Sequence, residues 1–380
     1  MELNEKIIEY LKSKEAETLE LIEELCKIPA PSWQESARAE FCRDWLASCG
    51  AKGVYIDEAL NTVYPVCCDG CDDIVVFMAH TDTVFPDTEP MPFYSDGEYI
   101  HSPGVGDDTA CLAVLMSVAR FVAESHLKPT TGILFVANSG EEGLGNLKGV
   151  RQIMKDYAGR VRELYSFDGT YDAVVNRCVG SHRYEIILKT EGGHSYGSFG
   201  NRNAIHAAAE LITSLYDCEL PREEGRCTTY NVGIIEGGTS VNTIAQSAKL
   251  LYEYRSDSDT CLDYMKNFFE KRIAEAKQDR KVDIDVNVVG IRPCGRGVDM
   301  EHLDRMTERA IEISEKHSGM RCTVRSGSTD ANIPMSLGIP AITLGAYLGD
   351  GSHTREERVL ISSIPVGLRI ASELILSYFE

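Results

Sequence analysis

The stretch Ile74-Val-Val-Phe-Met-Ala-His80-Thr-Asp82 joins an uninterrupted apolar run to two polar side chains at its end. An apolar run without alternation predicts a strand that is buried on both faces of a sheet, as in α/β proteins. Open α/β sheets bind their ligands beyond the carboxyl ends of the strands, which is where His80 and Asp82 fall. The stretch therefore predicts the fold class and the sheet edge that carries a site.

Similar apolar runs occur elsewhere and alternate with helical patterns. The runs cover residues 132–137, 163–167 and 339–344, and the helical patterns cover residues 1–27, 109–125 and 355–378. Short buried strands that alternate with amphipathic helices predict an α/β domain. The first helical pattern lacks the basic and apolar regions of a signal peptide.

Between residues 181 and 291 the pattern changes. Four strand patterns (183–190, 228–235, 248–255 and 282–289) surround two helical patterns (203–216 and 262–277). The order strand-helix-strand, given twice, predicts a split βαβ sandwich of the α+β class. We therefore expect one domain from residues 1–180 and 292–380 and an inserted domain from residues 181–291.

Composition narrows the classes of partner. The net charge of −21 argues against nucleic acid, because binding to phosphates needs a basic face. The sequence has no apolar run of about 18 residues, so no membrane partner is expected. Thirteen cysteines, an odd number, are expected to be reduced thiols in a cytoplasmic protein.

Cys68-Asp-Gly-Cys71 has the spacing of a redox motif. It follows a strand pattern in an acidic segment, without basic neighbours or a helix N-terminus to lower the pKa of a thiol. A turn between strands is the expected structure. A thiol redox protein stays an alternative class.

Metal-ligating side chains end or follow several of the predicted elements. They are His80 after the first run, Asp107 and Asp108 in a glycine-rich turn, Glu141 and Glu142, Asp168, and His353 in a late loop. Nitrogen and oxygen ligands without a thiolate fit a catalytic metal pair better than a structural zinc. Of two adjacent glutamates, one can bind a metal while the other accepts a proton from water. Spacing alone lets either aspartate bridge two cations.

The order of these residues resembles the zinc metallopeptidase family that includes aminoacylase, glutamate carboxypeptidase and peptidase T. Ile28-Pro-Ala-Pro-Ser32 and Ser328-Thr-Asp-Ala-Asn332 resemble its N-terminal and C-terminal motifs. The resemblance extends over nearly the whole chain. It implies a catalytic domain of three layers with a mixed sheet, and an inserted ferredoxin-like domain that serves as a lid and in dimerisation.

The resemblance also implies roles for individual residues. Two zinc ions, replaceable by cobalt or manganese, would share Asp107; one ion would add His80 and Asp168, and the other Glu142 and His353. Glu141 would act as general base, supported by Asp82. In the inserted domain the substrate would be bound by His194, Asn242 and Arg255, and in dimeric members such a histidine reaches the partner's active site.

The implied function is that of an exopeptidase, similar to peptidase T or to a carboxypeptidase, acting on small peptides as a homodimer. A deacylase of N-acyl amino acids is the close alternative, because both groups share the metal ligands. A metal-binding scaffold without catalysis is the alternative from another class. The intact Glu141 and Asp82 argue against it, since a scaffold has no need of a general base.

Overall fold

The computed structural model describes residues 3–279 and 281–380. The chain divides into two compact units, Met1–Cys178 with Gly295–Glu380 and Val179–Cys294. In the described residues the helices are α1 (Glu5–Ser13), α2 (Glu15–Cys26), α3 (Ser36–Ser48), α4 (Cys111–Ser125), α5 (Lys148–Asp156), α6 (Ala204–Tyr216), α7 (Asp259–Ala276), α8 (Met300–Ser318), α9 (Asn332–Ser336) and α10 (Ile364–Leu376).

The strands of the first unit are β1 (Tyr55–Ile56), β2 (Thr62–Val66), β3 (Ile74–His80), β4 (Tyr94–Ser95), β5 (Tyr99–His101), β6 (Gly132–Asn138), β7 (Val161–Phe167), β8 (Ala173–Cys178), β15 (Thr323–Gly327), β16 (Ala341–Leu344), β17 (Gly349–Asp350) and β18 (Arg358–Leu360). Those of the second unit are β9 (Gly180–Lys189), β10 (Gly193–His194), β11 (Thr228–Gly237), β12 (Thr243–Ile244), β13 (Ser247–Ser256) and β14 (Asp283–Arg292).

The main sheet of the first unit has eight strands in the order β1-β2-β6-β3-β7-β16-β8-β15. Strands β6, β3, β7 and β16 run parallel, whereas β2 and β8 are antiparallel to their neighbours β6 and β16. Every residue of β3 and β6 is buried. Because side chains of a strand point alternately to the two faces, both faces of this sheet are covered. The predicted α/β fold with a mixed sheet is confirmed.

Helices α4 and α8 pack against the main sheet, and α10 packs against both of these helices. Helix α4 is buried along most of its length, as its apolar sequence requires. A second sheet has the order β17-β18-β5-β4. It pairs the loop segment around residues 349–360 with residues 99–101, just before the glycine-rich turn.

The second unit is a four-stranded antiparallel sheet in the order β11-β13-β9-β14 with helices α6 and α7. The chain order β9-α6-β11-β13-α7-β14 is that of the predicted split βαβ sandwich, which is confirmed. Aromatic and aliphatic side chains from the sheet and the two helices form its own core, including Tyr252, Leu211 and Phe269.

Two helix predictions need correction in their extent. The pattern over residues 1–27 forms two helices, because the chain leaves helical geometry at Lys14 with φ −107° and ψ 1°. The pattern over residues 355–378 begins with β18, where Val359 pairs with Ile100, and α10 starts only at Ile364 with Pro365 in its first turn. Pairing with a distant strand overrides the local pattern there. Within the described residues, no helix is both long and apolar enough to span a bilayer.

Candidate metal centre

The candidate centre lies where neighbouring parallel strands of the main sheet end. Strands β6, β3 and β7 are adjacent, and His80 is the last residue of β3. Asp168 directly follows β7, and Glu141 follows β6 by three residues. Because the carboxyl ends of parallel strands meet at one edge of a sheet, residues far apart in sequence converge there.

Asp107 lies between two histidines. Its Oδ1 is 3.0 Å from Nε2 of His80, and its Oδ2 is 3.1 Å from Nε2 of His353. The same nitrogen of His353 is 3.3 Å from Oε1 of Glu142. Each oxygen of the Asp107 carboxylate thus faces a different imidazole.

The structure brings together all five predicted metal ligands. They form overlapping triads in which the ligand atoms lie within 4.8 Å of one another. One triad is His80, Asp107 and Asp168, and another is Asp107, Glu142 and His353. A third combines His80 with Glu141 and Glu142. The first two triads share Asp107.

The two neighbouring aspartates have different roles in the fold. Oδ2 of Asp108 accepts a hydrogen bond from the backbone N–H of His80 at 3.0 Å, and this side chain belongs to none of the triads. The peptide bond between Asp107 and Asp108 is cis. Of the pair, Asp107 therefore faces the histidines while Asp108 holds the end of β3.

Asp82 organises the turn that follows β6. Its two carboxylate oxygens accept hydrogen bonds from the backbone N–H groups of Glu141 and Glu142, both at 3.0 Å. The hydroxyl of Ser32 donates a third hydrogen bond to it at 2.7 Å. The Asp82 side chain is fully buried. It fixes the backbone from which both glutamates project.

His80 is oriented by a backbone carbonyl. Its Nδ1 lies 3.0 Å from the carbonyl oxygen of Asp82, which can only accept a hydrogen bond. A neutral imidazole that donates from Nδ1 has the lone pair of Nε2 available for a metal. The backbone of Asp82 thus selects the tautomer that a ligand requires.

Glu357 is a residue of the site that the sequence analysis missed. Its buried carboxylate accepts hydrogen bonds from the backbone N–H groups of Gly104 at 2.6 Å, Gly106 at 2.9 Å and Asp107 at 2.7 Å. A side chain on Gly106 would collide with Tyr347 and Glu357, because an added Cβ would lie 2.5 Å from the tyrosine oxygen. The sequence signal for Glu357 was its position four residues after the predicted ligand His353.

Asp330 is a second missed acid, from the C-terminal motif. It is fully buried and accepts a hydrogen bond from the Asn138 side chain at 2.7 Å. Burial, with the nearby charge of Glu141, raises the pKa of Asp330 to about 7. Asp330 is thus a further buried acid near Glu141.

The electrostatics of the centre are those of crowded carboxylates. Burial and neighbouring acids raise the pKa of Glu142 to about 7, and they raise that of Asp168 as well. Burial also acts to raise the pKa of Asp107, but hydrogen bonds from both histidines outweigh it and lower this pKa. Hydrogen bonds to Asp107 and Glu142 raise the pKa of His353 to about 11. Without compensating cations, these acids repel one another.

The residues fit a pair of divalent cations. The donors are imidazole nitrogens and carboxylate oxygens, which suit zinc, cobalt and manganese. In the described part of the chain, the buried Oε1 of Glu142 has its 3.3 Å contact with Nε2 of His353 and no further hydrogen bond. Dications would neutralise the repulsion among these acids and give such oxygens a partner.

The three predicted substrate-binding residues lie in the second unit. His194 and Asn242 are exposed and near one another, because β10 pairs with β12 and the N–H of Ser195 donates to the Asn242 carbonyl oxygen at 3.0 Å. Arg255 lies on β13, where its guanidinium makes two hydrogen bonds to Glu253, both at 3.0 Å. To bind a substrate as predicted, Arg255 would have to give up its hydrogen bonds to Glu253.

The Cys68–Cys71 segment forms the expected turn. The backbone N–H of Cys71 donates to the Cys68 carbonyl oxygen at 3.3 Å. The Cys68 thiol donates to the Ile133 carbonyl oxygen at 3.2 Å, and burial raises its pKa to about 11. A thiol with a raised pKa is a poor nucleophile, which argues against redox chemistry here.

A family model for Peptidase family M20/M25/M40 matches residues 76–377. The chain belongs to this family. The M20 domain covers the strands, the turn and the late loop that form the candidate centre. The family predicted from the motifs is thereby confirmed.

Two curated M20 relatives illustrate the range of substrates. Carboxypeptidase G2 from Pseudomonas sp. (strain RS-16) is 24% identical over 311 residues, which cover 80% of this chain and 73% of the relative. A putative succinyl-diaminopimelate desuccinylase from Mycobacterium tuberculosis is 24% identical over 359 residues, covering 91% and 94%. The M20 chain described here is a hydrolase of peptide or amide bonds.

Solved structures support the fold. A tripeptidase from Staphylococcus aureus superimposes with a TM-score of 0.73 at 23% identity, covering 96% of this chain and 98% of the other. At this identity the likeness establishes the fold and leaves the substrate open.

Proposed function

We propose that this M20 protein is an exopeptidase that hydrolyses small peptides with two zinc ions. The observation that carries the proposal is the position of Asp107, whose two oxygens face His80 and His353 separately. Asp168 would complete the site of His80, and Glu142 that of His353. Cobalt or manganese would replace zinc, because the same nitrogen and oxygen donors accept them.

Bound cations would polarise the scissile carbonyl and lower the pKa of the attacking water. The chain's own base for that water is Glu141, which is buried and adjoins the ligand Glu142. It would take the proton as the water attacks and return it to the leaving amine. Asp82 would act through the backbone, because it holds the N–H of Glu141 at 3.0 Å.

We propose that the second unit serves as a lid and in dimerisation. His194 would stabilise the oxyanion that forms on the scissile carbonyl, and Asn242 and Arg255 would bind the substrate. The exposure of His194 and its pairing near Asn242 support a contact with a molecule outside the unit. Closure would exclude water from the reaction.

The substrate class is drawn from the relatives and the C-terminal motif. The Staphylococcus structure is that of a tripeptidase, and carboxypeptidase G2 is a carboxypeptidase by name. Both point to exopeptidase action on short peptides. Deacylation of N-acyl amino acids is the second candidate, and the match to a putative desuccinylase over 91% of the chain favours it.

We also propose a homodimer in the cytoplasm. Free thiols support that compartment, because thirteen cysteines without a disulfide suit a reducing environment. The net charge of −21 opposes binding to nucleic acid.

The test is hydrolysis of di- and tripeptides, beside N-acetyl and N-succinyl amino acids, by protein loaded with zinc or cobalt. Metal content is measured in parallel by elemental analysis. We expect peptide cleavage that a chelator abolishes, that added metal restores, and that alkylation of thiols leaves intact. About two metal ions per chain are expected from the shared carboxylate.

Other results would change the proposal in defined ways. Cleavage of acyl amino acids alone would assign the protein to the deacylases. Two bound metals without hydrolysis of any compound would support a scaffold. Activity that survives chelation and is lost on alkylation would refute the metal mechanism.

A further inference from the structure

Trp33 has an unusual combination of exposure and backbone geometry. Its φ is +74°, in the left-handed region that favours glycine, and its side chain is 60% exposed. A bulky residue there costs roughly 1–2 kcal/mol relative to ordinary backbone geometry. Exposing a large ring to water adds no compensating burial. The position therefore combines an uncommon backbone geometry with a large apolar ring that is mostly exposed.

The residue before Trp33 and the cation over its ring both contact residues next to the candidate metal centre. The preceding residue, Ser32, donates its hydroxyl to Asp82 at 2.7 Å. On the other side, the Nζ of Lys148 lies 5.1 Å from the centre of the indole ring. The stem of Lys148 packs against Gly140, where an added Cβ would lie 2.5 Å from its Cγ.

The cation over the ring is itself held firmly. Lys148 Nζ makes an ion pair with the buried Glu35 at 3.0 Å and donates to the Ala59 carbonyl oxygen at 3.0 Å. The Lys148 side chain is only 13% exposed. A cation near an aromatic ring attracts its π electrons and restrains the ring. Lys148 thus restrains the Trp33 side chain.

We infer that the exposed face of Trp33 binds an apolar side chain of the substrate beside the scissile bond. The inference rests on the proposed function, because it needs Glu141 and its neighbours to be the reaction centre. Large aliphatic and aromatic groups suit the ring, which offers a broad apolar surface and stacks with other rings. Trp33 would be a specificity residue and would take no part in the proton transfers.

The kinetic test compares substrates that differ only in one side chain. The variants are Trp33→Gly, Trp33→Phe and, as a control, Val324→Ala at an exposed position of the edge strand β15. Peptides with phenylalanine or leucine are compared with the alanine peptide. We expect Trp33→Gly to lower kcat/KM for the large side chains about tenfold and to leave the alanine peptide unchanged.

The matched variants separate contact from folding. Glycine relieves the left-handed geometry, so Trp33→Gly should bind the same amount of metal and unfold at no lower temperature than the wild type. Trp33→Phe should restore most of the preference for large side chains, because it keeps an aromatic face. Val324→Ala should leave the preference unchanged.

A binding test works without turnover. The chain has two tryptophans, so Trp45→Phe leaves Trp33 as the only indole emitter. With metal-free and with zinc-loaded protein, phenylalanine should shift or quench the emission in a saturable way. Alanine at the same concentration should do so far less.

The outcomes distinguish this inference from the proposed function. If the wild type cleaves peptides and Trp33→Gly keeps the full preference for large side chains, the inference is wrong and the function stands. If no peptide or acyl amino acid is cleaved, the proposed function fails. The fluorescence titration then shows whether Trp33 binds an apolar side chain. Emission that responds equally to phenylalanine and alanine would overturn the inference.

Discussion

The carboxylate of Glu357 accepts a hydrogen bond from the backbone N–H of Asp107 at 2.7 Å, across 250 residues of sequence. The two residues belong to segments that the second sheet of the first unit brings together, since β18 pairs with β5. Asp107, the acid that would be shared by two metals, is therefore fixed through its backbone by Glu357. Glu357 itself lies four residues after the predicted ligand His353. The carboxylate of Asp107 remains available to the histidines.

Replacement of Glu357 by glutamine should weaken both the fold and metal binding. The amide keeps one acceptor oxygen but turns an N–H group toward the backbone donors of Gly104, Gly106 or Asp107. Backbone N–H groups that lose their acceptor in this buried turn cost about 2 kcal/mol in the free energy of unfolding. Thermal unfolding and metal titration measure the two effects.

The neighbouring glutamate provides the control for that variant. Glu356 is exposed, so Glu356→Gln changes the same net charge without touching the turn. We expect it to unfold and to bind metal like the wild type. Equal metal affinity in Glu357→Gln would show that the turn holds Asp107 without this carboxylate.

The contrast between His80 and Glu357 shows what the sequence could predict. His80 ends an apolar run, and the rule that ligands gather at strand ends is independent of distant pairing. Glu357 depends on the pairing of β18 with β5, and the local pattern around it predicted a helix. Long-range pairing of short strands leaves little periodicity in the sequence. The main sheet and the inserted sandwich, built from longer elements, were predictable.

Asp107 and Asp108 show a second limit. Their positions in the sequence are equivalent, and spacing left either one as the bridge. The structure separates them because Asp108 is drawn to the N–H of His80, which is a contact of the folded backbone. Such a contact follows from the turn geometry and has no signature in residue type.

Glu141→Gln should abolish turnover while leaving the metals bound. The amide cannot accept the proton of the attacking water, and general-base catalysis contributes typically 10²–10⁴-fold to rate. Because Glu142 and the other ligands are unchanged, elemental analysis should find the wild-type metal content. Activity within a few-fold of wild type at full metal occupancy would exclude Glu141 as the base.

Asp168→Asn should have opposite effects with and without metal. Burial and neighbouring acids raise the pKa of Asp168, so its charge opposes folding of the metal-free protein above the normal aspartate pKa. The neutral asparagine removes that cost, so the metal-free variant should melt at the same or a higher temperature than wild type. With metal, the variant should gain less stability, since a ligand is lost.

The control for this reversal is Asp69→Asn in the exposed turn after β2. Like Asp168→Asn, it removes one negative charge, but away from the centre. It should leave the melting temperatures of the metal-free and the metal-loaded protein unchanged. A metal-free Asp168→Asn protein that melts well below wild type would show that the charged carboxylate stabilises the fold without metal.

Glu163 supplies a pH dependence that is independent of the metal centre. This buried residue of β7 lies 2.9 Å from the Arg162 guanidinium and 2.6 Å from Nε2 of His302. Burial acts to raise its pKa, but hydrogen bonds from Tyr378, Arg162 and His302 outweigh burial and lower the pKa below the ordinary value of 4.5. The lowered pKa means that the folded state favours the ionised carboxylate.

A carboxylate with a lowered folded-state pKa stabilises the fold above its unfolded pKa and loses this contribution as the pH falls through the folded value. Glu163→Gln should therefore melt below wild type at pH 7, by the equivalent of about 1–2 kcal/mol, and the difference should shrink below pH 4.5. Glu301→Gln, whose partner Arg305 is exposed on the same helix, serves as the control and should show little difference at either pH. A Glu163→Gln difference that grows on acidification would mean that burial, and not the hydrogen bonds, dominates the ionisation of Glu163.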